Sequence, residues 1–426
     1  MNNCAFTICA KNYIGLAKVL EKSIKKYTNN IDFFIIIADE FDSNNITTEP
    51  NILIAKKILS IKEEKWNELA FKYDLTEFCT CIKPFVFKYM FNSLNYNKIC
   101  YFDPDILFYS SSDVIYNKLN NCEILVTPHS LFLNNNEKNN IIEDEIRGNG
   151  IFNFGFLGLS RGQFSNNFLE WWGNKLLDKC FADPNKCLFT DQKWGDFLPV
   201  YFSSEVLQIS RCLGWNVAPW NFEERKILFI ENKYYVTERK NEIDKSEALV
   251  FVHFSGYDYK SLFSGHIQQR NRGHDIIYED LNVVFKNYKE ALLQEKKEIE
   301  EYLNKKYSYD YYSNSEKIEL FHRRLFNGLL FNNINIGNPF DSNNKFFYLK
   351  IKKRKMFSKN NINIEKLTKF NMNKINKKLY VFNLFMRVIY KIFGYKNYLL
   401  LIKLLRVYSR YENQVHIIDS NKNLLY

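Results

Sequence analysis

Asp103 and Asp105, in the run YFDPDILFY (101–109), are the side chains whose type and spacing most suggest chemistry. Residues two apart on an extended backbone point the same way, so the two carboxylates can converge. The apolar residues before them, KICYF, read as a strand, and ligands in α/β sheets bind beyond the carboxyl ends of strands. A carboxylate pair there can hold one divalent cation, which in turn neutralises a diphosphate. Without a cation the two charges repel each other. The alternative is an Asp-Pro turn ending a strand, since both residue types favour turns. Flanking apolar runs, KICYF before and ILF after, argue for a buried turn rather than a surface loop.

The elements that must carry this pair follow from hydrophobic patterning. CAFTIC (4–9) and IDFFIIIAD (31–39) are continuous apolar runs, and between them Ile14, Leu16, Ala17, Leu20 and Ile24 recur at helical spacing. Strand, helix and strand without in–out alternation predict a parallel sheet covered on both faces. Strands at 52–55 and 97–102, with helices over 63–72 and 76–92, set the class as α/β. Past residue 110, EILVTPH, NFGFLGLS, NVAPW and ALVFVHFSG read as strands, separated by longer loops and a helix near 163–178, which predicts antiparallel additions to the sheet. From about 276 a long polar helix leaves this region, and the Asn-rich stretch 332–345 reads as a linker. The expected organisation is a catalytic domain over 1–275, a helical extension over 276–331 and a basic, amphipathic region over 332–426.

Composition narrows the function classes. A hydrophobic content of 46% with 17% aromatic residues excludes a disordered chain. Nine scattered cysteines, with Cys79 and Cys81 one residue apart, fit reduced buried thiols better than a disulfide frame or a zinc ribbon. The start MNNCAFTICAKN does not read as a secretory signal. No run of roughly 18 apolar residues suggests a spanning helix, so the expected location is the cytoplasm. The net charge of +11 is uneven: residues 345–410 hold 18 Lys and Arg against Glu365 alone, a local +17 that leaves −6 for the remainder. Within this tail, 379–410 mixes Leu, Ile, Phe and Tyr with Arg387, Lys391, Lys396, Lys403, Arg406 and Arg410. That pattern suits an anionic membrane surface; the alternative is a packed helix pair with a solvated basic face.

With the acidic pair in view, residues 1–275 resemble the GT-A glycosyltransferases, most closely the retaining enzymes of glycosyltransferase family 8 and related bacterial surface-polysaccharide enzymes. The resemblance implies a Rossmann-like mixed sheet that binds a nucleotide sugar, with Asp103, Asp105 and a distant His253 in VFVHFSG holding a metal. Gly256 matches the family's His-x-x-Gly spacing. A nitrogen ligand beside two carboxylates favours Mn2+, with Mg2+ second. The resemblance places Cys9, Asn12 and Tyr13 of CAKNY beside base and ribose, Asn153 and Gly155 of GIFNFGFLGLS along the donor sugar, and Asp191 and Gln192 of FTDQKW under the reacting sugar as the catalytic pair. The bland alternatives are a helix start for Asn12 and Tyr13, a bulge for Gly155, and a helix N-cap for Asp191. Where the family has a phosphate-binding lysine and Pro-Trp, this chain has Tyr259 followed by Lys260. Lys260, or Lys83 before a helix-opening Pro84, is the substitute. Trp220, Asn221 and Arg225 in GWNVAPWNFEER are candidates for an acceptor wall, with core residues as the alternative.

The implied activity is transfer of a sugar from a nucleotide-diphosphate sugar, with UDP favoured, to a saccharide or lipid-linked acceptor in bacterial cell-surface glycan synthesis. Retention of configuration is expected if Asp191 and Gln192 stabilise the cationic sugar; if Asp191 meets the acceptor hydroxyl, it is a base and the product is inverted. The rivals are a metal-dependent nucleotide-sugar hydrolase and a nucleic-acid-binding protein acting through the basic tail. The latter leaves the acidic pair and His253 unexplained, so no nucleic-acid partner is expected.

Overall fold

The computed structural model describes residues 2–41, 47, 49–132, 140–240, 246–269, 278–358 and 375–418. The chain forms two units, one of residues 1–61 with 75–308 and the other of 62–74 with 309–426.

In the first unit, β1 (Asn3–Cys9), β2 (Asp32–Ile37), β3 (Ile52–Ile54) and β4 (Lys98–Phe102) run parallel. β5 (Ile106–Phe108) leaves the sheet, while β6 (Ile124–Pro128) and β7 (Phe152–Ser160) extend it. β8 (Ala182–Asp183) and β9 (Leu188–Phe189) form a small antiparallel pair, and β10 (Leu207–Ile209) closes one edge of the main sheet. The seven-stranded order is β10-β6-β7-β4-β1-β2-β3. Only β7 runs against its two neighbours, so the parallel sheet with an antiparallel addition read from the patterning is the observed architecture. β11 (Arg225–Ile230), β12 (Lys233–Glu238) and β13 (Glu247–Ala248) make a separate antiparallel sheet, and β14 (Phe251–His253) pairs with β5.

Both faces of the main sheet are covered, which is why its strands carry no alternation. On one face, Ile14, Ala17, Leu20 and Ile24 of helix Ile14–Tyr27 pack against Ala5, Phe33, Ile35 and Phe102. On the other, Phe6 meets Phe87 of helix Leu75–Asn92 edge to face, with ring centroids 4.8 Å apart. Pro84 lies inside that helix and does not open it, so Lys83 is a mid-helix residue. The segment NVAPW is not a strand; Val217 makes one isolated bridge, to Val252.

The expected 275/276 boundary lies outside the described residues. Helices Asn282–Gln294 and Lys296–Leu303, expected to leave the first domain, belong to the first unit. Ile299 approaches so closely that a Cβ on Gly15 would stand 2.6 Å from its Cα. A polar outer face gave this pair the look of a free helix, whereas Val284, Phe285, Tyr288, Leu292 and Ile299 are buried.

The second unit has its own core of Phe71, Tyr312, Leu325, Phe326, Phe347 and Ile351. Arg323 draws helix Glu63–Lys72 into it: its guanidinium donates to the carbonyls of Ala70, Phe71 and Tyr73 at 2.8–3.1 Å, satisfying the helix C-terminus. The stretch 332–345 is a folded loop rather than a linker. The side chains of Asn335, Asn338, Asp341 and Asn344 each accept from a backbone amide two residues on, and Ile336 is buried.

His322 is fully buried here; its Nδ1 accepts from the Glu319 amide at 3.3 Å while Nε2 lies 2.8 Å from the Met356 carbonyl. That geometry needs the neutral ring, and burial lowers its pKa. An unfolded histidine protonates near pH ~6.5, whereas the folded ring resists, so this contribution to stability is complete above that pH and declines below it. Thermal melts should fall between pH 7 and pH 5, and fall less in His322→Gln; identical slopes in both proteins would refute the assignment.

Candidate metal centre

β4 ends at Phe102, and the Asp103-Pro104-Asp105 turn that follows is closed by the Ile106 amide donating to the Asp103 carbonyl at 3.2 Å. The Asp103 amide donates to the Gly155 carbonyl on β7 at 2.8 Å. β5 then departs to pair with β14, setting His253 directly across from Ile106. The result is a convergence: His253 Nε2 lies 3.0 Å from Asp105 Oδ1 and 3.5 Å from Asp103 Oδ2. One ligand atom from each residue falls within 4.8 Å of the others, the one such cluster of His, Cys, Asp and Glu among the described residues.

Two carboxylates and an imidazole suit a divalent transition metal that accepts mixed oxygen and nitrogen ligands. The site is closed behind the ring and open at the acids, with His253 2% exposed, Asp103 32% and Asp105 27%. Burial raises the Asp103 carboxyl above its ordinary range, against the opposing pull of Lys83 and His253. Burial alone would depress His253, but the Asp105 carboxylate and its hydrogen bond outweigh it and raise the ring. His253 Nδ1 is buried and has no hydrogen-bond partner among the described residues.

Gly155 is required by space. A Cβ there would stand 2.4 Å from His253 Cε1 and 2.8 Å from both Asp103 Oδ2 and Asn153 Oδ1, so the absent side chain is what admits the three groups. Asn153 Oδ1 accepts from the Gly155 amide and from Asn216 Nδ2, each at 3.1 Å. Its amide nitrogen faces His129 Nε2 at 3.3 Å. Asn216 also donates to Thr127, and Asn221 to the carbonyls of Asn216 and His129. Asn153 and Asn221 are thus nodes of one buried polar network that includes His129 and Asn216, which sequence reasoning missed. His129 follows the apolar strand ILVTP as His253 follows LVFV, so the same signal could have found it; Asn216 stands out in no way among so many asparagines.

Trp220 sits edge-on between two imidazoles, 5.1 Å from His129 and 5.3 Å from His253 by ring centroids. Arg225 is buried, donates to the carbonyls of Leu213 and Trp215 at 3.0 and 2.6 Å, and is lowered by burial to about 10. All three acceptor-wall candidates therefore have partners within the fold.

Lys83 and Asp191 meet each other. Their charged atoms are 2.6 Å apart with both side chains buried, and Lys83 also donates to the Phe154 carbonyl at 2.9 Å. The ammonium lies 4.0 Å over the Tyr101 ring, whose hydroxyl donates to Asp103. A continuous chain thus links Asp191 to the cluster of Asp103, Asp105 and His253 through Lys83 and Tyr101. Thr190 donates to the other Asp191 oxygen, and Gln192 donates to the Asn149 carbonyl at 3.0 Å. Asp191 precedes the turn Gln192–Phe197 but makes no side-chain cap there.

At the end of β1, Cys9 is buried, and burial with nearby Asp39 pushes its thiol up. Asn12 and Tyr13 occupy the following turn; Asn12 Oδ1 is buried without a partner among the described residues, and Tyr13 packs against Tyr259, centroids 5.5 Å apart. The neighbouring Lys260 is exposed in a short helix capped by Asp258. Gly256 takes φ +76°, a left-handed conformation that favours glycine. Lys11, not singled out in the sequence, donates to Asp39, Ser308 and the Glu40 carbonyl.

No protein-family model matches the chain. It is 24% identical over 295 residues to the uncharacterized protein YfnF of Bacillus subtilis strain 168, covering 68% of this chain and 92% of that one. Among solved structures it is similar to the galactosyltransferase LgtC in complex with donor and acceptor sugar analogs, at 13% identity, with 68% of this chain and 95% of that one covered and a TM-score of 0.41. It is also similar to the bifunctional glycosyltransferase WbbM in its apo form, at 11% identity, with 70% and 51% covered and a TM-score of 0.37.

Gly155→Ala should weaken Mn2+ binding ~10–100-fold, the range for disturbed supports of a metal site, as read by titration calorimetry. Gly158→Ala is the control, because its Cβ would meet side chains only at 3.3 Å or beyond. Wild-type affinity in Gly155→Ala would remove the cluster from consideration.

Proposed function

We propose that the chain is a GT-A-type glycosyltransferase that transfers a sugar from a nucleotide-diphosphate donor to a saccharide or lipid-linked acceptor. The observation that carries this reading is the convergence of Asp103, Asp105 and His253 beyond the carboxyl end of β4, with the two acids open to solvent. The resemblance of YFDPDILFY, VFVHFSG and FTDQKW to family 8 motifs supports the same reading. The donor set favours Mn2+ over Mg2+, which prefers oxygen shells. Bound there, the cation would neutralise the diphosphate as it departs.

The protein's own groups do the remainder. Lys83 holds Asp191 in place, and Asp191 with Gln192 is the pair that would stabilise a sugar gaining positive character at its anomeric carbon. Gln192 and Asn153 supply amides for the sugar hydroxyls, and Gly155 leaves room for the donor. Asn12, Tyr13 and Cys9 line the base and ribose end, Lys260 serves the phosphates, and Trp220, Asn221 and Arg225 support the acceptor side. A UDP-sugar, retention of configuration and a role in bacterial cell-surface glycan synthesis at the cytoplasmic face belong to the same reading.

Thermal stability with UDP and Mn2+ tests it in the wild type and in Asp105→Ala. Ligand at a hundredfold its Kd stabilises a native state by about 2.7 kcal/mol. The wild type should gain close to that, only with metal present, and Asp105→Ala should gain nothing. A gain with GDP or CDP instead of UDP changes the donor; no gain with any nucleoside diphosphate overturns the site. Donor consumption equal with and without saccharide acceptors would make the protein a hydrolase.

A further inference from the structure

The last helix of the second unit, Ile375–Tyr408, carries its large apolar side chains into solvent. Tyr380 is 68% exposed, Ile392 69% and Tyr395 66%, and Met386 is the one residue it buries. No helix among the described residues is long and apolar enough to cross a membrane. Gly394 breaks this one, at φ +72° and ψ 171°, into segments 375–393 and 395–408. Tyr390 and Tyr398 meet edge to face across the break, with centroids 5.4 Å apart.

Each segment is amphipathic in its own phase. At about 100° per residue, Val381, Phe385, Ile389, Ile392 and Phe393 fall on one side of the first, opposite Asn383, Arg387 and Lys391, although the exposed Tyr380 and Leu384 share that cationic side. In the second, Leu401, Leu404, Leu405 and Tyr408 share a side opposite Lys396, Lys403 and Arg406, a side that Leu399 also occupies. On an unbroken helix the two apolar stripes would point about a third of a turn apart. The break at Gly394 is the place where they can be brought to one plane. Residues 375–410 contain no Asp or Glu.

We propose that this broken helix docks on an anionic lipid bilayer, lying in its plane with the apolar stripes at the acyl boundary and the Lys and Arg side chains among the headgroups. The occupant must both accept apolar side chains and supply negative charge, and an anionic bilayer does both. A second copy of the helix would cover the stripes but would bring cations together with no acid to offset them. A nucleic acid would match the charge and leave the apolar side chains in water. The inference rests on the exposure and charge of this helix and is independent of the sugar-transfer reading.

Flotation of the full chain with phosphatidylcholine vesicles, with and without phosphatidylglycerol, tests it. Binding should require phosphatidylglycerol, weaken in high salt, and fall at least tenfold in both Phe385→Glu/Ile392→Glu and Arg387→Glu/Lys391→Glu. All four side chains are exposed, so the core is left intact. Wild-type binding by either variant would overturn the proposal. So would an absence of vesicle binding together with either a concentration-dependent dimer lost in the apolar variant or retention on a DNA oligonucleotide lost in the charge variant. The response to UDP and Mn2+, measured on the same preparations, should be unchanged in both variants, which separates failure of this proposal from failure of the catalytic one.

Discussion

Everything about the first unit's site follows from the need to hold two carboxylates together at the end of a buried strand. Their mutual repulsion works against the fold, so the backbone, not attraction, must supply the positioning. Asp103 is tied to β7 through the Gly155 carbonyl, while the Asp105 carbonyl accepts from the Phe254 amide at 2.9 Å and the His253 amide donates to the Val217 carbonyl at 2.8 Å. Each ligand residue is thus fixed by a main-chain hydrogen bond to a different segment. A cluster assembled this way is held by the backbone, and a cation bound there would relieve the repulsion that the backbone bonds sustain.

The Lys83–Asp191 pair is the compensating element. Breaking a buried pair by removing one partner costs about 3–5 kcal/mol, because the remaining charge is stranded. Here both partners also have further hydrogen bonds: the Phe154 carbonyl for the lysine and Thr190 for the aspartate. The lysine sits over Tyr101, whose hydroxyl bonds Asp103, so Asp191 and the acidic cluster share neighbours. Two acidic centres, one open and one buried, are thereby joined through a single cation.

How much of this was legible depends on what each sequence signal reports. Continuous apolar runs report burial on both faces, and β1, β2, β3 and β4 fall where those runs predicted, with β7 supplying the antiparallel addition. The acidic pair was legible because strand ends concentrate ligands and its spacing is local, whereas His253, about 150 residues on, entered only through the family resemblance. Other partnerships between distant segments were not legible. Lys83 read as a phosphate ligand beside Pro84, because nothing in the local sequence reports that Asp191 lies 2.6 Å away. The stretch 332–345 read as a linker because asparagines favour turns in open and folded loops alike; the buried Ile336 was too small a signal to decide. Likewise, the helix Glu63–Lys72 gives no hint that its C-terminal carbonyls are satisfied by Arg323, about 250 residues away.

The rear of the cluster is built differently from its front. Metal-bound histidines usually donate their second nitrogen to an oxygen, which fixes the ring. His253 Nδ1 has no such partner among the described residues, and neither does the Trp220 indole nitrogen beside it. Unsatisfied buried polar groups cost about 1–3 kcal/mol each, so the ring is oriented by Asp105 at Nε2 and by packing behind: Trp220 stands perpendicular to His253, and Val217 holds the strand. Such packing excludes water from the imidazole side, while Asp103 and Asp105 remain a quarter to a third exposed. Among the described residues the centre is therefore open on the carboxylate side. A cation held there would meet the two acids on that side and the buried imidazole behind.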